Sequence, residues 1–120
     1  HDGDIQYYMH GKRHRDNNRP AIIKPDWISE YWVNGKLHRE SKYGPSLTFY
    51  DGSMIYCING ELHRDPKCGP ATINVNGILE YWMNNIKLYS ITLTHQDGTP
   101  ITCIYDILWR MLELNPQYIQ

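Results

Sequence analysis

With 120 residues and 12 lysines and arginines against 13 acidic residues, the chain carries a net charge of -1 and has the length of one domain, burying roughly two thirds of its extended surface. Neither half offers the basic face that nucleic-acid binding needs: eight basic residues face seven acidic ones in residues 1–60, and four face six in 61–120. Three cysteines, Cys57, Cys68 and Cys103, are an odd number without metal-ligand spacing, which argues against a disulfide framework and for a reducing, intracellular compartment.

Reading from the N-terminus, the chain opens at His1 inside a unit that recurs, which implies that residues were removed or that the natural protein extends upstream. No positively charged, then apolar, signal pattern follows, and no apolar run approaches the ~18 residues that a membrane span requires. The expectation is a soluble protein that is not secreted. Four registers then align: Asp2-Gly3 to His10-Gly11, Asp26-Trp27 to Asn34-Gly35, Asp51-Gly52 to Asn59-Gly60, and Asn76-Gly77 to Asn84-Asn85, with periods of 24, 25 and 25 residues. Asp-Gly, Asn-Gly and Asn-Asn tolerate the positive φ angles of two-residue hairpin turns, so each unit is predicted to be about one β-hairpin.

Between the turns, alternation places Tyr7, Tyr31, Tyr56 and Tyr81 in one column, with Met9, Val33, Ile58 and Met83 two residues later on the same face. That column is the expected buried face. Opposite it lie Gln6, Glu30, Ile55 and Glu80, followed by Tyr8, Trp32, Cys57 and Trp82, a mixed and half-wet surface. Ten tyrosines and four tryptophans against a single phenylalanine suit such half-exposed positions, because these rings keep a polar handle.

After the second turn of each unit come His14-Arg15, His38-Arg39 and His63-Arg64, then Arg19-Pro20, Gly44-Pro45 and Gly69-Pro70; the fourth unit reads "NNIKLYS" and lacks the pair. A lone hairpin is marginal in water, so each unit must lean on its neighbour, giving an elongated antiparallel sheet or solenoid over residues 1–90. Beyond residue 90 the pattern changes to a strand, a turn at "QDGTP", and a helix predicted to start at Thr99-Pro100 and to carry Ile101, Ile104, Tyr105, Leu108, Met111 and Leu112 on one face. Residues 91–120 are thus expected to form a strand-plus-helix cap over the open end of the sheet.

The unit "YWVNGKLHR...GPSLTFYDG" resembles the MORN-type repeat, in particular the variant with His-Arg followed by Gly-Pro-Ala met in large DNA viruses, phages and some bacteria. The resemblance covers roughly residues 2–90. It departs from the ordinary pattern in having His-Arg for His-Gly and a longer insert before Gly-Pro. The resemblance implies stacked hairpins and a binding or scaffolding role, with a host cytoplasm or a virion as the setting and lipid binding as a further property.

Two uses of the His-Arg pair compete. As ligands, His14, His38 and His63 would sit roughly 10 Å apart, too far to share one metal ion, and each arginine is followed by an acidic residue, Asp16, Glu40 or Asp65, which spoils a phosphate trap. As structure, the six residues hydrogen-bond across neighbouring hairpins, holding turn backbone and the next unit's carbonyls. The structural use is the expected one. Trp32, Trp82, Tyr8, Glu30 and Glu80 are the candidate contact residues for a protein partner, beside self-association through a sheet edge. No catalytic residue, cofactor or metal ligand is indicated, since a regular array makes a surface and not a pocket of converging groups. The rival to a non-enzymatic scaffold is an anionic-lipid module using His10 to Arg39, where seven basic residues face three acidic ones.

Overall fold

The computed structural model describes residues 3–26 and 28–106, and they are mainly β. In chain order the strands are β1 (Ile5–Gln6), β2 (Tyr8–Met9), β3 (Lys12–Arg13), β4 (Ile22–Ile23), β5 (Ser29–Glu30), β6 (Trp32–Val33) and β7 (Lys36–Leu37). A short 3-10 turn, Ser41–Tyr43, precedes β8 (Leu47–Thr48), β9 (Met54–Ile55), β10 (Cys57–Ile58), β11 (Glu61–Leu62), β12 (Thr72–Ile73), β13 (Leu79–Met83), β14 (Ile86–Thr94) and β15 (Pro100–Asp106). Nine of them form one antiparallel sheet in the order β1-β4-β5-β8-β9-β12-β13-β14-β15, and β2-β3, β6-β7 and β10-β11 are separate hairpin tips. The body measures 57 × 28 × 22 Å with a radius of gyration of 17.2 Å, against about 13.6 Å for a compact domain of this length. Elongation follows from the meander order.

One unit explains the rest. Its outgoing strand runs through β5, Tyr31 and β6, turns at Asn34-Gly35, and returns through β7 to His38, whose N–H donates to the Tyr31 carbonyl at 3.0 Å. The return path then leaves the sheet for residues 39–45 and rejoins the same edge at Ser46, whose carbonyl takes the Tyr31 N–H at 2.8 Å. Glu30 then pairs with Leu47. Each of the first three units is thus a single hairpin whose return strand carries an excursion, and the His-Arg pair stands where that excursion begins.

Two kinds of turn close these hairpins. Asn34, Asn59 and Asn84 have φ of 50–51°, followed by Gly35, Gly60 and Asn85 at 66–81°, the two positive angles of a type I′ turn. The Asp-Gly turns differ from the expected two-residue form. Phe49 N–H reaches the Ser53 carbonyl while Gly52 N–H bonds back to Phe49, a three-residue loop with Gly52 at φ 93°. Asp51 Oδ1 accepts the Ser53 N–H at 2.8 Å and tightens it, a local bond for which aspartate is suited, and this holds the Asp51 carboxyl below its usual value. Trp27, in the equivalent turn of the second unit, lies outside the described residues.

Over residues 99–106 the expected helical cap is not what forms. In the fourth unit Leu88 and Tyr89 stand where His-Arg stands elsewhere, no excursion leaves the sheet, and β14 runs on for nine residues across position 90. It pairs with β15 from Leu88↔Asp106 to Thr94↔Pro100. The "QDGTP" segment is another three-residue loop, with His95 N–H on the Thr99 carbonyl and Thr99 Oγ1 donating to Asp97 instead of capping a helix. The apolar spacing from Ile101 to Tyr105 fits a helix, but β-branched residues facing a long open edge of β14 pair with it. Residues 107–120, which hold Leu108, Met111 and Leu112, lie outside the described residues.

The core is thin. Among the described residues, Ala21, Ile22, Tyr56, Cys57, Ala71 and Leu88 are buried and apolar, joined by His14, Glu30 and Ser46. The tyrosine column is only partly dry, with Tyr56 buried and Tyr7, Tyr31 and Tyr81 half-buried. The opposite face, expected to be the wetter, buries Glu30 and Cys57. Among the described residues no second layer covers either face of this sheet, one hairpin wide, so side chains of the same sheet do the covering.

Candidate interaction surfaces

The His-Arg pair lies at every junction between units. His14 Nδ1 accepts the Asn34 N–H at 2.9 Å, His38 Nδ1 accepts Asn59 N–H at 3.0 Å, and His63 Nδ1 accepts Asn84 N–H at 3.1 Å. Acceptance at Nδ1 puts the imidazole proton on Nε2, and in the first unit that nitrogen meets Asp16 Oδ1 at 2.6 Å. The backbone repeats the junction: Arg15, Arg39 and Arg64 N–H donate to the carbonyls of Trp32, Cys57 and Trp82, and Gly35, Gly60 and Asn85 N–H donate to Arg13, Leu37 and Leu62.

The arginine side chains turn back and not forward as expected. Arg15, Arg39 and Arg64 lie flat over Tyr7, Tyr31 and Tyr56 of their own units, with Cζ 3.7–3.8 Å from the ring centres. Nη1 closes the excursion by donating to the carbonyl of Pro20, Pro45 or Pro70 at 3.0–3.3 Å. Nε then reaches the preceding unit: Arg39 donates to Asn18 Oδ1 at 2.8 Å and Arg64 to Ser41 Oγ at 3.0 Å. A planar fork with donors on two edges can stack and bond in two directions at once, which an ammonium cannot.

On the other face, Trp32 Nε1 donates to Glu30 Oε1 at 3.0 Å while Lys24 holds Oε2 at 2.9 Å, and that carboxylate raises the Lys24 ammonium above its usual value. Glu80 repeats the arrangement with Trp82 Nε1 at 3.2 Å, Thr72 Oγ1 at 3.2 Å and Lys87 at 3.3 Å. In the first unit Tyr8 OH donates to Gln6 Oε1 at 2.7 Å, and in the third Ile55 and Cys57 make the position apolar. There Ser46 Oγ, fully buried, bonds both the N–H and the carbonyl of Cys57. Arg13 inserts its guanidinium between Tyr8 and Trp32, 5.9 and 4.8 Å from the two rings. Tyr8, Trp32 and Glu30 are therefore gathered at one end of this face, while Trp82 and Glu80 sit two units away.

Glu80 gives a pH test of this face. The Trp82 N–H is the largest influence pulling its carboxyl below the usual range, and the Lys87 and Thr72 contacts act with it against desolvation. A carboxyl with a depressed folded value stabilises above its unfolded value, about 4.3, and loses that contribution as pH falls through the folded one. The melting-temperature difference between the natural chain and Glu80→Gln should shrink as pH falls below 4; parallel curves from pH 7 to 3 would refute the link.

Three features escaped the sequence reading. A groove of about 500 Å3 opens between the first two excursions, lined by Arg15, Asn18, Arg19, Trp32, Arg39 and Tyr43 among others. Asn18 and Ser41 are the oxygens that receive the arginines, and nothing in their spacing marks them. The third is a ridge where the three-residue turns stack: Val75 N–H donates to Ser53 Oγ at 3.1 Å and Lys24 lies 5.7 Å from the Tyr50 ring. Phe49, Tyr50, Val75, Ile78 and Leu79 are all exposed there, Tyr50 at 60% and Val75 at 57%.

The basic segment from His10 to Arg39 spends most of its charge internally. Arg15 and Arg39 stack on tyrosines, Arg13 lies between two rings, Lys24 pairs with Glu30, and the stems of Lys12 and Lys36 pack over Gly35 and Gly60. Burial raises the Cys57 thiol above its usual value, which disfavours a reactive thiolate. Among the described residues no three His, Cys, Asp or Glu side chains gather as metal ligands. Compared with known proteins, the chain matches no family model, no curated protein and no solved structure.

Proposed function

We propose that the chain is a non-enzymatic scaffold of the His-Arg variant of MORN-type repeats, acting by protein–protein contact. The observation that carries this reading is the turn ridge: Phe49, Tyr50, Val75 and Ile78 are exposed on two loops that the Val75 N–H to Ser53 Oγ bond joins. Exposed apolar side chains gathered on adjoining loops of a sheet already ordered from within favour a partner surface over solvent. The rigid Trp32-Glu30 and Trp82-Glu80 pairs add aromatic area whose polar atoms are already satisfied, so little would have to be desolvated on contact. A minor structural role in a viral particle is the setting that the repeat resemblance suggests, by analogy alone. The lipid reading loses ground because Arg15 and Arg39 are committed to tyrosine rings and proline carbonyls and Arg13 to the Tyr8 and Trp32 rings, leaving Arg19 as the exposed arginine of the segment.

Photo-crosslinking from the ridge tests the scaffold. With p-benzoylphenylalanine at Tyr50, an extract of the natural source should yield one protein adduct of constant mass, and none with the probe at Glu61 on a hairpin tip. Val75→Asp should then weaken binding of that purified protein at least tenfold. Equal labelling at both positions, or affinity indifferent to Val75, would overturn the reading.

A further inference from the structure

The groove of about 500 Å3 between the first two excursions is walled on both sides by units of this chain, and there the repeat departs from itself. Arg19 stands where the next two units carry Gly44 and Gly69. Three arginines, Arg15, Arg19 and Arg39, therefore line the groove beside Asp16 and Glu40. Adjacency in sequence predicts that the two acids cancel the arginines, but both turn to other partners. Asp16 Oδ1 meets His14 Nε2 at 2.6 Å, and Glu40 Oε2 meets Lys42 Nζ at 3.4 Å. Among the described residues neither carboxylate bonds a guanidinium.

Internal bonding leaves a surplus of donors. Arg15 and Arg39 are each held by a tyrosine ring and, through Nη1, by a proline carbonyl. Among the described residues the Nη2 of each meets no acceptor. Arg19 engages only Nε, on the Asp16 carbonyl at 3.2 Å. His38 Nδ1 accepts the Asn59 N–H, which puts the imidazole proton on Nε2. His14 turns that nitrogen to Asp16, whereas the His38 Nε2 meets no acceptor among the described residues, and His38 lines the groove. Guanidinium groups already clamped flat lose little side-chain freedom when they take a ligand.

We propose that this groove binds a carboxylate from an acidic segment of a partner polypeptide. Guanidinium edges suit a planar acceptor with two oxygens. Three arginines against two carboxylates leave one positive charge, which matches a carboxylate and falls short of the roughly 1.5 to 2 negative charges of a phosphate group. Tyr43, which lines the groove and is 51% exposed, offers its ring to the carbon chain that carries the carboxylate. The inference rests on the scaffold reading and gives its partner a charged contact that uses no residue of the turn ridge.

Titrating the natural chain with an acetylated, amidated tetraglutamate peptide tests it by nuclear magnetic resonance. The Nε–H signals of Arg15, Arg19 and Arg39 and the Asn17 side-chain amide should shift saturably at millimolar peptide, while the Arg64 Nε–H stays in place and tetraglutamine shifts none of them. Arg19→Gln should weaken binding about threefold to fivefold, the worth of one exposed charge pair, and Arg19→Lys should restore part of the loss. Shifts that reach Arg64 equally or never saturate would overturn the proposal, as would an affinity indifferent to Arg19. Tighter binding of inorganic phosphate, or the same shifts with phosphatidylserine vesicles at equal charge, would overturn it in favour of a phosphate ligand or a membrane. Each of these failures leaves the Tyr50 crosslink standing, and loss of the crosslink leaves the titration standing, so the groove and the scaffold reading fail separately.

Discussion

Arg39→Ala is expected to lower the unfolding free energy by about 2–3 kcal/mol, and Arg15→Ala by about 1 kcal/mol less. Both guanidinium groups lie over a tyrosine, at 3.7 and 3.8 Å, and both donate to a proline carbonyl. A half-desolvated cation–π contact contributes about 1 kcal/mol and each hydrogen bond about 0.5–1.5 kcal/mol, and the stem adds packing over the ring. The difference lies in Nε, which reaches Asn18 Oδ1 from Arg39 at 2.8 Å and meets no oxygen among the described residues from Arg15. Arg39→Lys should recover less than half of the loss, since an ammonium keeps the charge but cannot stack flat and donate along two edges. Urea unfolding followed by tryptophan fluorescence decides it. Equal losses at Arg15 and Arg39 would remove the inter-unit bond from the account, and full rescue by lysine would reduce the arginine to a charge.

How far these contacts could be foreseen follows from where their partners lie in the chain. The turns were legible because Asn-Gly and Asp-Gly carry their conformational preference in two adjacent residues. Hairpin pairing was legible because alternation needs only a few positions. The histidine role was half legible: hydrogen bonding across neighbouring hairpins was the expected use of the pair, and His63 bonds Asn84, the turn of the last unit. The direction of the arginines was not, because folding back over Tyr31 or reaching forward to Cys57 depends on the path of residues 39–45, which has no periodicity to read. The C-terminal segment failed for a different reason. Ile101, Ile104 and Tyr105 satisfy both a helical stripe and a strand, and the arbiter is the free edge of β14, created when Leu88 and Tyr89 abolish the excursion several residues earlier. The turn ridge escaped because Tyr50 and Val75 sit inside loop signals, where apolar residues are not counted toward a face.

Gly69→Ala should prove at least as costly as the loss of an arginine, at about 3 kcal/mol, and should do so through Arg64. Gly69 holds φ 136°, and a Cβ there would lie 2.8 Å from Arg64 Nη1 and 3.2 Å from its Cζ. The guanidinium has no room to yield, because Tyr56 lies 3.8 Å beneath it and the Pro70 carbonyl and Ser41 hydroxyl hold it at two edges. Backbone strain for a non-glycine residue at such an angle costs roughly 1–3 kcal/mol, and overpacking adds a similar amount. Gly52→Ala separates the two, since Gly52 also has a positive φ, 93°, but open space where a Cβ would stand. It should cost about 1–2 kcal/mol. In a double-mutant cycle the pair Arg64→Ala and Gly69→Ala should be less destabilising than the two single losses added, by about 1 kcal/mol or more, because the clash disappears with the arginine while the strain persists. Strict additivity would mean that Gly69 is needed only for its backbone angle. The first unit already carries the natural counterpart: Arg19 occupies the Gly69 position, and the positive angles move to Asn17 and Asn18, at 62° and 53°. A side chain is tolerated there because the chain turns two residues sooner, and Arg15 Nη1, at 3.3 Å from the Pro20 carbonyl against 3.0 Å for Arg64 and Pro70, closes a looser loop. Gly69→Ala lacks that earlier turn, with Lys67 and Cys68 where the asparagines stand, so its strain has nowhere to go but into the junction.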